Sequence, residues 1–348
     1  MTTGAGRRSR IGWRLFPLAL ILPVVLLFGM VWQSIGEQVD FADLERDGVR
    51  YIQALGPLEI ALTNAGSAAV SNSEAPRKPL ADAVDAVAAV DNELGERLRT
   101  QERWAGLRAK IESLPDSGTA TSVIAAYGGA NDLLLALIEK VRNNSKLIRD
   151  PEADSYYLQD GAAQELPEGI VAAARYTDLL VGTAGLPAAD RAKAVVDINS
   201  AHSDLVSNAR DLSDDVQLAV EGTGSRSLGG ALLSKLDRFN RSIDNLLPLM
   251  SPVLAGTGGI DVARVVKARA EMQSAAADLS AALLAQIDIA LEDRLSSLSL
   301  RRLLAIGTLV VSVLLAAAPI GAALAARRKP AVHQDQPERR REPVGAAR

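Results

Sequence analysis

Two long apolar runs, one near each end of the chain, enclose a polar segment with helical periodicity. The runs cover residues 11–32 and 303–326, and neither contains an acidic residue. Because about 20 apolar residues let a helix cross the hydrocarbon of a bilayer, each run predicts a transmembrane helix. The predicted organisation follows from these two runs. It is a basic cytoplasmic N-terminus (1–10), a first span (11–32), an extracytoplasmic domain (33–302), a second span (303–326) and a disordered basic cytoplasmic tail (327–348).

Between the runs, apolar side chains recur at alternating spacings of three and four residues, which is the stripe of a helix that packs in an antiparallel bundle or coiled coil. The clearest stripe is Phe41, Leu44, Gly48, Tyr51, Leu55, Leu58, Leu62, Ala65 and Ala69. Aromatic residues make up only 3% of the chain, which disfavours strands. The predicted fold is all-α: two transmembrane helices flank an elongated antiparallel helical bundle. One arrangement of this bundle is two stacked four-helix bundles that share the long first and last helices.

Proline, glycine and polar clusters divide the periodic segment into further helices. The predicted ranges are 80–114, 119–149, 151–183, 188–220, 228–247 and a last helix that begins near 261 and runs into the second span. Pro57 lies within the first stripe, so we expect the first helix to bend just after Leu55.

Charge is segregated along the chain. Residues 1–32 contain four arginines and no acid, the C-terminal tail is basic, and the middle segment is acidic although the net charge is only −4. Short basic flanks mark the cytoplasmic side of a membrane. The pattern therefore predicts a two-pass protein of the cell (inner) membrane with both termini cytoplasmic, a tail that contacts lipid headgroups, and no nucleic-acid partner.

The first run has one alternative interpretation, because Ser34-Ile35-Gly36 is an acceptable small-x-small cleavage site for a signal peptide. The apolar run is longer than the usual core of a signal peptide. An uncleaved anchor is therefore the favoured interpretation, and cleavage stays open.

The residue inventory excludes several kinds of chemistry. The chain has no cysteine and only two histidines, His202 and His333, so neither a thiolate site nor a histidine-rich metal site can be built. No glycine-rich phosphate loop occurs. We therefore predict no catalytic residues, no metal site and no cofactor, and the chain is not predicted to be an enzyme.

One stretch is distinctive: Asp150-Pro151-Glu152 is followed by Asp154-Ser155-Tyr156-Tyr157-Leu158-Gln159-Asp160. It resembles a signature in the extracytoplasmic sensor regions of bacterial methyl-accepting chemotaxis receptors and related membrane sensor kinases. Upstream, Glu45-x-Asp47-Gly48-x-x-Tyr51 is similar to the first helix of the same regions.

The resemblance implies a helical ligand-sensing domain between two spans, assembled as a homodimer. Two departures matter. Arg149 stands where the signature usually has leucine, and the family continues past its second span into a cytoplasmic signalling part, whereas here only the short tail follows. We therefore expect output to require a separate cytoplasmic or membrane signalling partner.

The motif has two interpretations. In the first, Asp150 to Asp154 start a helix and the two tyrosines fill the seam of the bundle. In the second, Arg149, Asp154, Tyr156 and Tyr157 line a pocket for a small molecule. A guanidinium group with two hydroxyls would suit a carboxylate-bearing ligand.

The sequence therefore predicts a membrane-anchored sensor or ligand-binding module of chemoreceptor-like type, which signals through shifts of its transmembrane helices. Two alternatives remain at this point. One is an envelope scaffold that binds a protein partner and senses nothing. The other is a degenerate receptor that has lost its signalling half.

Overall fold

The computed structural model describes residues 8–73, 77–148, 153–184, 186–222, 226–254 and 259–327, and the regular structure of these residues is entirely helical. This confirms the all-α prediction. The described residues form ten α-helices: α1 (Arg8–Val70), α2 (Arg77–Leu98), α3 (Gln101–Glu112), α4 (Ala120–Ser145), α5 (Ala153–Asp160), α6 (Leu166–Thr183), α7 (Ala188–Gly222), α8 (Arg226–Leu246), α9 (Ser251–Leu254) and α10 (Val262–Arg327). A π-helical turn at Gly161–Glu165 joins α5 to α6, and a 3₁₀ turn at Leu247–Met250 joins α8 to α9.

The chain divides into two compact units. The first consists of Met1–Glu37 with Leu298–Arg348, and the second is Gln38–Ser297. In the first unit, large apolar side chains are exposed on α1 and α10, as expected of helices whose solvent is lipid. They include Leu22, Leu26, Leu27, Met30, Leu303, Leu304, Val311, Leu314 and Leu315. At the polar edge of this unit, the Arg302 guanidinium lies 5.4 Å from the centre of the Trp32 ring.

Three described helical segments are long and apolar enough to cross a membrane: Ile21–Val70, Ala120–Ser145 and Val262–Ala318. The first contains residues 21–32 of the first predicted span, and the third contains residues 303–318 of the second. The second, α4, lies in the second unit and was predicted only as a bundle helix. Length and composition therefore indicate membrane association, and they give three candidate helices where the sequence predicted two spans.

The core of the second unit is built around α1, which remains helical through Pro57. From Tyr51 onward, every member of the predicted stripe is buried, as far as Ala69. Val49, Ile52 and Ala61 are buried as well, so α1 buries a wider face than a simple seam. This wide burial occurs because several helices of the unit pack around α1 and not along one side only.

The predicted helix over 80–114 is wrong in one respect, because the chain breaks between α2 and α3. Arg99 adopts a left-handed conformation with φ of 52°, which is uncommon for a residue other than glycine. The break brings Thr100 into the core, where its hydroxyl donates to Asp91 Oδ1 at 2.6 Å. Asn144 of α4 donates to the carbonyl of Leu98 at 2.6 Å and satisfies the end of α2. No proline or glycine marks this break in the sequence.

The π turn at Gly161–Glu165 lies just before Pro167, which is near the start of α6. Proline has no N–H group and its ring crowds the carbonyl four residues earlier. A single wide turn accommodates this defect and lets the helical path of 153–183 continue.

Gly48 of α1 packs directly against the end of α4. A Cβ atom added to Gly48 would overlap with the side chain of Ser145 and would lie 3.0 Å from Leu147 Cδ1. Ser145 is fully buried, so it has little room to move away. Glycine is therefore required here by packing, although the position lies in a helix.

We expect Gly48→Ala to destabilise the full chain by about 1–3 kcal/mol, because the added methyl group overpacks the contact between α1 and α4. Thermal unfolding monitored by circular dichroism measures this change. Gly128→Ala is the matched control, since a Cβ at this helical position meets no atom within 4 Å. The control should be neutral or stabilising by up to about 1 kcal/mol. Equal effects of the two substitutions would contradict the proposed close contact.

Candidate functional site

The structure describes only part of the predicted motif site. Arg149 lies outside the described residues, and of Asp154 the structure describes the position in α5 but not the side chain. Tyr156 and Tyr157 are half-buried and contact each other edge to face, with ring centres 5.4 Å apart. Tyr157 packs against the hydrophobic core. The negative charge of Asp160, followed by burial, raises the pKa of the Tyr156 hydroxyl.

Gln159, from the same motif, is part of a buried polar contact between three helices. Its amide donates to Glu45 Oε1 at 3.2 Å, and Arg294 of α10 donates to Glu45 Oε2 at 3.0 Å. The Glu45 side chain is completely buried. Because a buried carboxylate needs a cationic partner and hydrogen bonds, these contacts fix α1, α5 and α10 relative to one another.

The remaining upstream motif residues also have structural partners. Asp47 forms an ion pair with Arg97 of α2. The hydroxyl of Tyr51 donates to Asp91 Oδ1 at 2.8 Å, the same oxygen that accepts from Thr100. The residues that carry the upstream part of the resemblance therefore hold the bundle together in this structure.

An acidic cluster lies beside the tyrosine pair. The carboxylate oxygens of Asp160, Glu165 and Asp215 lie within 4.8 Å of one another, so within the described ranges these three could together hold a metal ion. Arg142 pairs with Asp160 at 3.1 Å and also contacts Gln164. The guanidinium group thus already supplies positive charge at this place. Burial, reinforced by the neighbouring acids, raises the pKa of Glu165 and of Asp215 to about 7.

The second unit also contains a large apolar pocket, here called the α1–α10 pocket, with a volume of about 660 Å³. This lies within the usual range of ligand sites, about 300–1,000 Å³. Its walls come mainly from α1, α6 and α10. Buried residues form the floor, and they include Ile52, Leu55, Glu59, Ala61, Ile138, Ala162, Leu166, Pro167, Ile170 and Leu284. The mouth has smaller side chains, among them Gly56, Pro57, Ala277, Ala281 and Ala285.

Glu59 is the exceptional residue of this pocket. Only 2% of its surface is exposed, and within the described chain no group forms a hydrogen bond with its Oε1 atom. Burial raises the pKa of the Glu59 carboxyl well above its ordinary value. Glu45 and Asp178, which are also buried, have partners. Asp178, for example, accepts from Ser67 and lies 3.4 Å from Arg269 Nη1.

The charge at the α1–α10 pocket is acidic. Asp288, at the mouth, accepts a hydrogen bond from Gln53 at 3.2 Å. Among the described residues that line the pocket, the charged side chains are Glu59 and Asp288, and none is basic. An unpartnered buried acid in a mostly apolar pocket is a common arrangement at functional sites.

Glu59 was not identified from the sequence, although its spacing from neighbouring apolar residues indicates a buried position. Ile52, Leu55, Glu59 and Leu62 follow the same spacing as the predicted stripe and lie on one face of α1. An acid among apolar positions on a buried face is unusual unless it is paired. The narrower stripe through Leu58 left Glu59 outside the predicted core.

The acidic cluster predicts a dependence of stability on pH. The pKa values of Glu165 and Asp215 in the folded protein, about 7, lie above their ordinary values of 4.5 and 3.8. The folded state therefore keeps protons that the unfolded state has released, so the free energy of unfolding falls as the pH rises from about 4 to about 7. Glu165→Gln removes one of these protonation sites, so we expect it to flatten the decline.

Thermal unfolding of the full chain between pH 4 and pH 8 measures this effect. Glu165→Gln should have little effect at pH 4 and should raise the unfolding temperature relative to wild type at pH 8. Glu102→Gln, an exposed substitution on α3, should leave the slope of the wild-type curve unchanged. A wild-type slope in Glu165→Gln would show that Glu165 does not hold a proton in the folded state.

Comparison with known proteins assigns this chain to no family. A scan against models of protein families, a search of curated proteins and a search of solved structures each found no match. The resemblance to the sensor regions of chemotaxis receptors therefore remains a prediction that rests on the motif residues quoted above, and the function has to be inferred from the geometry of the α1–α10 pocket.

Proposed function

We propose that this chain is a membrane-anchored, sensor-type module that binds a small ligand in the α1–α10 pocket. The observation that carries the proposal is the pocket itself. It is large and mostly apolar, and it contains the buried carboxyl group of Glu59, whose Oε1 atom has no hydrogen-bond partner among the described residues. Apolar walls provide the binding free energy, and a few converging polar groups provide selectivity. The ligand site proposed from the motif, around Arg149 and the tyrosines, remains a separate hypothesis.

The proposed membrane topology has two spans, 11–32 and 303–326, with both termini cytoplasmic and 33–302 extracytoplasmic. The exposure of the candidate helices supports two spans over three. In α4, 39% of the most apolar window is buried within the protein, whereas the windows of the first and last candidates are 6% and 0% buried. The apolar residues of α4 already have protein partners, so they need no lipid.

The proposed route of signalling uses the walls of the pocket. Glu59 belongs to α1 and Leu284 to α10. Each of these helices continues without interruption into one of the two apolar runs proposed as spans. Shifts of 1–2 Å between packed helices are the usual scale of such switches. The homodimer, the stacked four-helix arrangement and the separate signalling partner belong to the same proposal.

A second candidate function is an interaction scaffold, and the mouth of the pocket gives it some support. Ala277, Ala281 and Ala285 recur every four residues on α10 and are exposed. A row of small residues permits close approach of another helix. In this alternative the pocket would receive a partner protein and not a small molecule.

The topology can be tested with single cysteines, because the natural chain has none. Ser117 precedes α4 and Ser203 follows it, and both are exposed. If α4 lies in the bundle, a membrane-impermeant maleimide should label Ser117→Cys and Ser203→Cys equally in intact cells. A cysteine appended after Arg348 should be labelled only after the cells are permeabilised. Labelling of only one of the two serine variants would mean that α4 crosses the membrane.

Ligand binding can be tested with a screen by thermal unfolding on the full chain in lipid nanodiscs. A ligand at 100 times its dissociation constant should add about 2.7 kcal/mol to the free energy of unfolding. Ala281→Leu narrows the mouth of the pocket and should abolish the shift. Ala270→Leu, an exposed position on α10 that does not line the pocket, should keep it. Binding that both variants retain would locate the ligand elsewhere.

A further inference from the structure

We propose that the α1–α10 pocket is selective for small apolar amines, whose ammonium group pairs with the carboxylate of Glu59. This inference deepens the function proposed above and rests on it, because it requires the pocket to be a ligand site. It assigns the chemical class of the ligand.

The first argument concerns the unsatisfied carboxyl group. Glu59 Oε1 is buried and has no hydrogen-bond partner within the described part of the chain. Leaving a buried acceptor unsatisfied is unfavourable. A ligand that carries N–H donors into the pocket removes this penalty. The α1 backbone around Glu59 is already satisfied, and Thr63 donates to the Glu59 carbonyl at 2.8 Å, so the side chain is the group that needs a partner.

The second argument concerns the sign of the charge. Glu59 and Asp288 are the titratable residues among the described lining, and none of these lining residues is basic. The ionised acids can therefore pair with a cation, whereas a carboxylate would find no cationic partner among them. This is opposite to the carboxylate-bearing ligand that the motif around Arg149 predicts. The two sites would therefore bind different chemical classes.

The third argument concerns the rest of the ligand. Apart from the two acids, the lining is dominated by aliphatic residues of α1, α6 and α10, such as Ile52, Leu166 and Leu284. A hydrated metal ion would keep water between itself and these walls and would bury no apolar surface. An amine with a hydrocarbon or aromatic body places that body against the aliphatic walls and its ammonium group next to Glu59. The ammonium group is then next to a carboxylate, and the apolar body is next to aliphatic side chains.

Binding of the amine has a defined proton balance. Burial raises the pKa of the Glu59 carboxyl well above its ordinary value, which favours the protonated form in the absence of a ligand. When the ammonium ion enters, the Glu59 O–H bond breaks, the proton passes to water, and an ammonium N–H donates to the carboxylate. Binding should therefore release a proton and should tighten as the pH rises toward the pKa of Glu59. Asp288 is the other described titratable group that lines the pocket.

The test uses three probes of similar size and different charge: 2-phenylethylamine, 2-phenylethanol and 3-phenylpropanoate. Isothermal titration measures their binding to the full chain in phospholipid nanodiscs, with empty nanodiscs to subtract partitioning into lipid. We expect the amine to bind about 30-fold or more tightly than the alcohol, the scale of a buried charge pair. The carboxylate should bind more weakly than both. Repeating the amine titration in two buffers of different ionisation enthalpy reveals the released proton.

Variants of the pocket separate the effect of the Glu59 charge from the effect of the shape of the pocket. Glu59→Gln keeps the size of the side chain and removes the charge, so it should bring the amine and the alcohol within about threefold of each other. Asp288→Asn is the matched control at the mouth and should preserve most of the preference for the amine. Ala281→Leu should weaken both probes. Thermal unfolding of each variant without a ligand verifies that it folds.

Three results are informative. A preference for the amine that disappears in Glu59→Gln supports the proposal. If the alcohol binds as tightly as the amine and Ala281→Leu blocks both, the pocket is a ligand site but selection by charge is overturned. If none of the probes binds the wild-type chain, or if Ala281→Leu changes nothing, the pocket does not receive these molecules and both proposals fail for this site.

Discussion

The buried carboxylate of Glu45 is the interaction on which the arrangement of the bundle depends. Its two oxygens bind Arg294 of α10 and Gln159 of α5, so one side chain connects the first and last long helices to the middle of the chain. Removing one partner from a buried ion pair costs about 3–5 kcal/mol, because a charge is left unpaired. A polar contact of this kind favours the register that keeps its hydrogen bonds, whereas leucine side chains tolerate small shifts better.

Glu45 and Glu59 lie on the same helix and differ in one respect that bears on function. The first is completely paired, and the second has a buried oxygen without a partner within the described chain. The unpaired acid lies next to a cavity, and the paired one lies in packed protein. A buried acid without a hydrogen-bond partner is unfavourable, so its place beside a cavity favours a partner that comes from outside the described chain. This contrast is the reason to seek a cationic ligand and not only a structural role.

The sequence predicted the helices well, because their determinants are local. The stripe from Tyr51 to Ala69 and the proline and glycine clusters were sufficient to locate most helices within a few residues. The break at Arg99 was missed, because the contacts that accompany it, from Thr100 to Asp91 and from Asn144 to the Leu98 carbonyl, form only in the folded bundle. The α1–α10 pocket was missed for the same reason. Its α1 and α10 walls lie more than 200 positions apart along the chain, with the α6 wall between them in sequence, and none of the three indicates the others.

The π turn at Gly161–Glu165 has a consequence for how this chain can change over generations. Each residue of an α-helix advances its face by about 100°, so the additional residue of the wide turn sets the direction in which every side chain of α6 points. A substitution in this turn alters one contact. The loss of a single codon in the turn would shift the phase of the helix that follows and would rotate Leu166, Ile170 and the other floor residues of α6 away from the cavity together. Substitutions can therefore adjust this part of the pocket wall one contact at a time, whereas a change in the length of the π turn would remove it in one step.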